Sequence, residues 1–383
     1  MSEVDLLDRV RRRLAAQVVE PTPARIAAAV RAEAGSLSPD GGLALLQRLQ
    51  DDLLGSGVLA PLLRGADVTD VLINSPDEVW VDRGRGLEPA GIRFADDDEV
   101  RRLVARLLLP TGRRLDDAQP WVDARLPDGT RLHAVLSPIA TRGTCVSLRT
   151  LRRQHFSLED LVAAGSLTSL VATVLRAVVA ARLSILVSGG TGTGKTTLLA
   201  CLLGLADERE RVVVVEDSTE LRPSCPHVVC LEARPPNVDG AGEITMRDLV
   251  RQAMRMRPDR IVIGEVRGGE VAEMLTALNT GHDGGLSTVH ANTSRDVPAR
   301  LEALGSVAGL PRDALHAQVA AALDVVVHLR RDRDGLRRVD EIGLASRSAD
   351  GLVAVVSAVA GGAPAEHWDD LVALLASREV RLQ

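Results

Sequence analysis

The 383-residue chain has no Tyr, two Phe and three Trp. So small a supply of rings excludes the aromatic platforms on which single-strand and RNA-binding modules stack bases. It leaves Val, Leu, Ala and Ile to fill the core. Lysine is rarer still: of 46 basic residues one, Lys195, is Lys and the remaining 45 are Arg. Cysteine occurs at positions 145, 201, 225 and 230, too few and too scattered for a disulfide framework. Cys225 and Cys230 flank His227, but that segment reads as a strand beside a Pro-rich turn, and no metal is expected there. The net charge of -6 supplies no cationic field to gather nucleic acid or anionic lipid. Direct nucleic-acid binding is therefore not expected. The apolar stretch from Leu167 to Val187 is broken by Arg176 and Arg182, and the opening MSEVDLLDRVRRRL lacks the apolar centre of a signal peptide. A cytoplasmic protein is expected.

What is present divides along the chain. Residues 1–57 read as helices, with Leu6, Leu7, Val10 and Leu14 at helical spacing and further apolar positions at Ala27, Ala28 and Val30 and from Leu43 to Leu54. Residues 58–150 alternate short strand-like runs (VLIN, VWVD, WVDARL, TRLHAVL, TCVSLRTL) with a helix near Asp97–Leu109, which predicts an α+β domain. Residues 151–166 read as a linker. From 167 to 345, buried β-branched runs (SILVSGG, RVVVVED, HVVCLE, RIVIGE, GGLSTVH) alternate with helices, the pattern of a parallel sheet with crossover helices. Helix is expected from Arg295 to Ala322, and a C-terminal segment from 346 to 383. The fold class expected is α/β: a P-loop, RecA-like parallel sheet preceded by a smaller α+β domain and an N-terminal helical segment.

The only lysine lies in SILVSGGTGTGKTT, which reads as strand, glycine-rich loop, helix and satisfies GxxxxGK[ST]. Such a loop, from Gly189 through Gly190, Thr191, Gly192, Thr193 and Gly194, turns backbone N–H groups toward a phosphate, and the helix amino end adds partial positive charge. Lys195 then reaches the β- and γ-phosphates of a nucleoside triphosphate, Thr196 offers a hydroxyl to Mg²⁺, and Thr197 completes the first helical turn. Where arginine is accepted everywhere else, a compact ammonium is kept at the one position where a planar fork does not fit among phosphates.

Two further apolar runs deliver carboxylates to the same edge of such a sheet, Glu216, Asp217 and Glu220 from the first and Glu265 from the second. Triphosphate hydrolysis needs one carboxylate to hold Mg²⁺ and another to orient or deprotonate water, and these strand-end acids are the candidates for both. Glu216 and Asp217 are expected to line the nucleotide. In TGHDGGLSTVHANT, His290 ends a strand where a neutral imidazole can contact the γ-phosphate, and His282 lies in the preceding Gly-rich turn. His133, His155, His316, His328 and His367 have no supporting constellation. Among arginines of the preceding domain, Arg125, Arg131 and Arg149 lie in or beside strands, and Arg131 and Arg149 are the candidates to stabilise transition-state charge.

Taken in order, GGTGTGKTT, VVVVEDSTEL, MRMRPDRIVIGEVRGGE and TGHDGGLSTVHANT resemble the Walker A, Asp box, Walker B and His box of the type II/type IV secretion ATPase superfamily. Upstream, PWVDARLPDGTRLHAVLSP and CVSLRT resemble the end of that superfamily's amino-terminal domain. The wording of PDGTRLHAV and GHDGGLSTVHANT is most similar to the tight-adherence (Flp) pilus assembly ATPases, with conjugation and type IV secretion traffic ATPases next. The resemblance implies an ATP- and Mg²⁺-dependent ring hexamer, with nucleotide bound between the two domains of a subunit and arginines completing the pocket. It implies a motor peripheral to the inner face of the cell membrane, acting on inner-membrane platform proteins. By this resemblance Lys195 and Thr196 are the phosphate and Mg²⁺ ligands, Glu220 the water-polarising Asp-box acid, Glu265 the Walker B acid, His282 and His290 the His box, and Arg149 a pocket arginine. Ser218 stands where many relatives carry Pro, and the chain has no paired CxxC motifs, unlike the zinc-bearing branch.

Overall fold

The computed structural model describes residues 9, 13, 23–33, 46, 49, 51, 55–65, 67–84, 86–150, 156–236 and 240–382. The helix Pro23–Glu33 covers part of the expected N-terminal helical segment. The expected helical positions Leu6, Leu7, Val10 and Leu14, those from Leu43 to Leu45, Leu53 and Leu54, and residues 151–155 of the expected linker lie outside the described residues. By internal contacts the chain divides into two compact units, Met1–Arg153 and Gln154–Gln383.

In the first unit, β1 (Asp70–Ser75), β2 (Glu78–Asp82), β3 (Leu87–Pro89), β4 (Trp121–Arg125), β5 (Arg131–Val135) and β6 (Cys145–Arg149) form an antiparallel sheet in the order β3-β2-β1-β6-β5-β4. Its strands alternate, as a half-covered antiparallel sheet requires. Val71 and Ile73, Leu132 and Ala134, and Val146 and Leu148 are buried, while their neighbours face the other side. The buried face is covered by the helix Asp97–Leu108, which contributes Val100, Leu103, Val104, Leu107 and Leu108. That helix starts where Asp96 Oδ1 accepts the Glu99 N–H at 2.8 Å and Glu99 Oε2 accepts the Ala95 N–H at 2.7 Å. Three acids occupy its first turn, at the positive end of its dipole. It stops before Pro110 and Gly112, the latter left-handed with φ 65°.

The second unit is built on β7 (Ile185–Gly189), β8 (Val212–Glu216), β9 (Val228–Glu232), β10 (Arg260–Val266), β11 (Leu286–His290), β12 (Val325–Arg331), β13 (Arg337–Arg347), β14 (Val353–Ala360) and β15 (Ala363–Pro364). They form one sheet, β15-β14-β13-β12-β7-β11-β10-β8-β9. The run from β12 to β9 is parallel, and β13, β14 and β15 extend it antiparallel. Both faces of the parallel part are covered, which is why its strands read as unbroken apolar runs. In β8, Val212 and Val214 enter one core and Val213 and Val215 the other. β7 sits inside the sheet between β12 and β11, with β10 and β8 beyond β11, so their carboxyl ends share one edge.

The structure differs from the sequence expectation at three places in this unit, the first being the expected linker 151–166, which holds a helix, Leu158–Ala163, that buries Leu158 in one of the two cores. The expected boundary after Ala345 falls inside β13, because 346–383 pairs into the same sheet and its helix Trp368–Ser377 buries Leu371 and Leu375 in one of the two cores. The helical stretch Arg295–Ala322 is two helices, Val297–Val307 and Arg312–Ala322, parted at Gly309 (φ 77°) and Pro311. Among the described residues no helix is long and apolar enough to cross a membrane.

Candidate active site

β7 ends at Gly189, and the loop that follows enters the helix Lys195–Leu203 through Gly194, left-handed at φ 95°. Two of its glycines are required by geometry. Gly194 caps the helix in a conformation that costs any other residue energy. A Cβ on Gly189 would lie 2.6 Å from the Leu329 carbonyl oxygen of β12 and 2.7 Å from Thr193 Oγ1, with φ at 150°. Gly189→Ala is therefore expected to destabilise the protein by about 1–3 kcal/mol. Urea unfolding at wild-type midpoint would contradict this packing. The loop is held from outside as well: Thr193 Oγ1 donates to the Gly190 carbonyl at 2.9 Å, and Arg337 Nε of β13 donates to the Gly192 carbonyl at 2.8 Å.

Lys195 is 8% exposed. Its Nζ donates to the carbonyls of Gly189 at 3.1 Å and Gly190 at 2.9 Å, and lies 3.4 Å from His290 Nδ1. Burial lowers its pKa, and Arg267 adds to this, while Glu265 and Glu220 work in the opposite direction. Thr196 Oγ1 lies 3.5 Å from Glu220 Oε2. His290 stands directly across from Gly189 in the sheet, and its Nε2 is 2.5 Å from Glu265 Oε1. Burial and then Lys195 lower the His290 pKa against the pull of Glu265, which favours the neutral ring. Lys195, Thr196, Glu220, Glu265 and His290, carried by four separate segments, thus meet at one sheet edge, the crevice where α/β sheets bind ligands.

Glu265 bears on metal binding. Its Oε2 accepts from Arg267, whereas its Oε1, beside His290 Nε2, is buried with no hydrogen-bond partner. A buried carboxylate oxygen without a donor is costly unless a cation or water satisfies it. Glu265 Oε1, with the Thr196 hydroxyl, is a hard oxygen donor set that fits Mg²⁺.

Two expected site residues, Glu216 and His282, behave differently. Glu216 was expected to line the nucleotide, but it is 4% exposed and its carboxylate turns under the following loop. Glu216 Oε1 accepts the N–H groups of Glu220 and Leu221, both at 3.0 Å. Burial drives its pKa up to about 7 in spite of those two hydrogen bonds. Because the native value is raised above 4.5, this group favours the fold below pH 4.5, and that contribution is lost as pH rises through about 7. Asp217 is exposed, with Oδ2 3.7 Å from Arg267 Nη1. His282 is not at this edge. It precedes β11 by a turn whose Gly285 carbonyl accepts the N–H of Ile185, the first residue of β7, so it lies at the amino edge, roughly 13 Å of strand away from His290. There its Nδ1 lies 3.0 Å from the Ala277 carbonyl.

Arg131 and Arg149 belong to the first unit. Arg125, Arg131 and Arg149 stand directly opposite one another on β4, β5 and β6, and Asp70 of β1 completes the row, accepting from Arg149 Nε at 3.2 Å.

Sequence reasoning missed Arg267, which spans Glu265 and Asp217. Its place two residues after the Walker B acid was the available signal. His328, for which no role is expected, is buried with its Nδ1 2.9 Å from the Ser188 hydroxyl across β12 and β7. Nothing in the local sequence around His328 distinguishes it.

Comparison with known proteins agrees with this geometry. The Type II/IV secretion system protein family matches residues 52–349. A putative conjugal transfer protein of Mycobacterium tuberculosis is 56% identical over 321 residues, covering 82% of this chain and 91% of the relative. The conjugal transfer protein TrbB of Rhizobium radiobacter is 31% identical, with 78% and 89% covered. Among solved structures the Legionella pneumophila ATPase DotB superposes with a TM-score of 0.52 at 18% identity, covering 84% of this chain and 85% of that one, a likeness of fold.

Proposed function

Since the chain belongs to the Type II/IV secretion system protein family, we propose that it is a Mg²⁺-dependent ATPase that hydrolyses ATP to ADP and phosphate and drives a pilus or secretion apparatus as a homo-hexameric ring. The observation that carries this reading is the convergence of Lys195, Thr196, Glu220, Glu265 and His290 on one sheet edge. Lys195 binds the β- and γ-phosphate oxygens, and its ammonium offsets charge that grows on them during transfer. Glu220 orients water and accepts its proton. His290, neutral, donates to the γ-phosphate and thereby senses its departure. Thr196 and Glu265 would hold Mg²⁺, which supplies charge neutralisation at the phosphate oxygens. Arg149 and Arg131 are the arginines assigned to stabilise transition-state charge.

The test is steady-state phosphate release by the purified full chain with Mg²⁺ and with excess EDTA. Turnover that needs Mg²⁺ supports the reading. Tight ATP binding without release would leave a nucleotide-gated scaffold instead. Arg149→Ala is expected to lower kcat about 10²-fold with the unfolding midpoint retained. A rate near wild type removes that arginine from the site.

A second reading has a specific observation in its favour: relatives at 56% and 31% identity carry conjugal transfer names. On it the motor serves a conjugation or type IV secretion system. The net charge of -6 and the few aromatic rings weigh against direct contact with DNA. Co-purification with inner-membrane platform proteins supports a motor acting through partners at the cytoplasmic face of the membrane. Salt-sensitive DNA binding by the hexamer would favour a direct role in DNA transfer.

A further inference from the structure

Glu216 ends β8 inside the protein, four residues before the acid that faces Thr196. Its Oε1 takes two backbone N–H groups, those of Glu220 and Leu221 at 3.0 Å, and its Oε2 lies 3.3 Å from the Leu221 nitrogen. Leu221 is itself fully buried, and Thr219 Oγ1 donates to Glu232 Oε2 at 2.6 Å, so the loop is tied on both sides. Below Glu216 lies Gly264, the residue before Glu265. A Cβ there would come 2.6 Å from Glu216 Cγ and 3.1 Å from its Oε1. The same carboxylate therefore touches the backbone beside both Glu220 and Glu265.

Resting on the ATPase reading above, we propose that Glu216 is a positioning residue: it clamps the loop 217–221 onto β10 and thereby sets Glu220 at its distance from Thr196 and Glu265. A buried carboxylate among apolar strands is otherwise a liability, since burial alone penalises its charge and Glu220 and Glu232 add like charge to that penalty. A hydrophobic residue would fill the space more cheaply. What the carboxylate adds is an acceptor for two converging N–H groups of a loop that has no strand or helix of its own.

The experiment compares Glu216→Ala, Glu216→Gln, Gly264→Ala and the double variant Glu216→Ala/Gly264→Ala in the full chain. Glu216→Ala is expected to lower kcat about 100-fold, as a misplaced catalytic group does, with KM for ATP within threefold of wild type. Glu216→Gln retains an acceptor oxygen and is expected to restore kcat to within about fivefold. Gly264→Ala should slow turnover when Glu216 is present and cost little more in the Glu216→Ala background, where Cγ is gone, a strongly non-additive cycle. Additive losses, or wild-type kcat in Glu216→Ala, would overturn the proposal. Hydrogen exchange at the Glu220 and Leu221 amides separates its failure from that of the ATPase reading. Glu216→Ala should lose protection there and Glu216→Gln should keep it, whatever the protein does to ATP. Unchanged protection in Glu216→Ala sinks the clamp even if the wild type hydrolyses ATP.

Discussion

Lys195→Ala is expected to reduce ATP affinity by about 100-fold or more and to leave no measurable turnover. The ammonium sits almost wholly buried, with Nζ donating to the Gly189 and Gly190 carbonyls and within 3.4 Å of His290. Each charge-assisted hydrogen bond it gives to phosphate is worth about 1.5–3 kcal/mol, so losing two accounts for the drop. Arginine is no substitute at this position. Its guanidinium is a rigid planar fork rather than a compact point charge, and its five fixed donors cannot be redirected as the three of an ammonium can. Lys195→Arg should therefore fail nearly as completely as Lys195→Ala, in a chain whose other 45 basic residues are Arg. Isothermal titration with a non-hydrolysable ATP analogue measures the affinity. Amine-reactive labelling gives an independent check, because the side chain of Lys195 and the α-amino group are the chain's reactive amines. ATP should protect Lys195, and labelling undiminished at saturating ATP would count against the phosphate assignment.

Glu265→Gln is expected to behave differently: ATP affinity within a few-fold of wild type, and kcat lower by about 10³-fold. The amide has the size of the carboxylate, so β10 and its packing are undisturbed. What changes is charge. Glu265 Oε1 is buried with no hydrogen-bond partner, and Oε2 carries the Arg267 ion pair. Removing the negative charge takes away the group proposed to hold Mg²⁺ and leaves Arg267 facing a neutral amide. The effect falls on the transition state, where metal and water must both be held, more than on ground-state binding. Binding measured by titration and turnover measured by phosphate release separate the two. Equal loss of binding in Glu265→Gln and Lys195→Ala would show that the assigned roles are wrong.

Much of this was legible because it is local. The P-loop is contiguous, and its glycines, lysine and threonine each answer a requirement met within eight residues of backbone. The parallel sheet could be read from β8 and β10, whose unbroken apolar runs are intelligible only if both faces are covered. The helix expected near Asp97–Leu109 is found at Asp97–Leu108, while its Asp96 and Glu99 cap was seen only in the structure. Glu216 and His282 were not legible in the same way. Each sits in a motif whose other member faces the P-loop, and motif membership says nothing about which way a side chain turns. Glu216 points inward because two backbone N–H groups of the next loop need an acceptor there. His282 lies at the far edge because a five-residue strand separates it from His290. The contact of His328 with Ser188 was hidden for a related reason: Ser188 is 140 residues earlier and meets it through the β12–β7 pairing.

By itself, then, the sequence determined the α/β class, the phosphate loop with its single lysine and the acids delivered to strand ends, since these depend on periodicity and short-range chemistry. Tertiary structure alone decided which of those acids turns toward the P-loop, which histidine stands beside Lys195, and that residues 346–383 complete the main sheet. Those outcomes depend on strand order and register, which bring distant segments side by side and are set by the packing of the whole unit rather than by any stretch of chain.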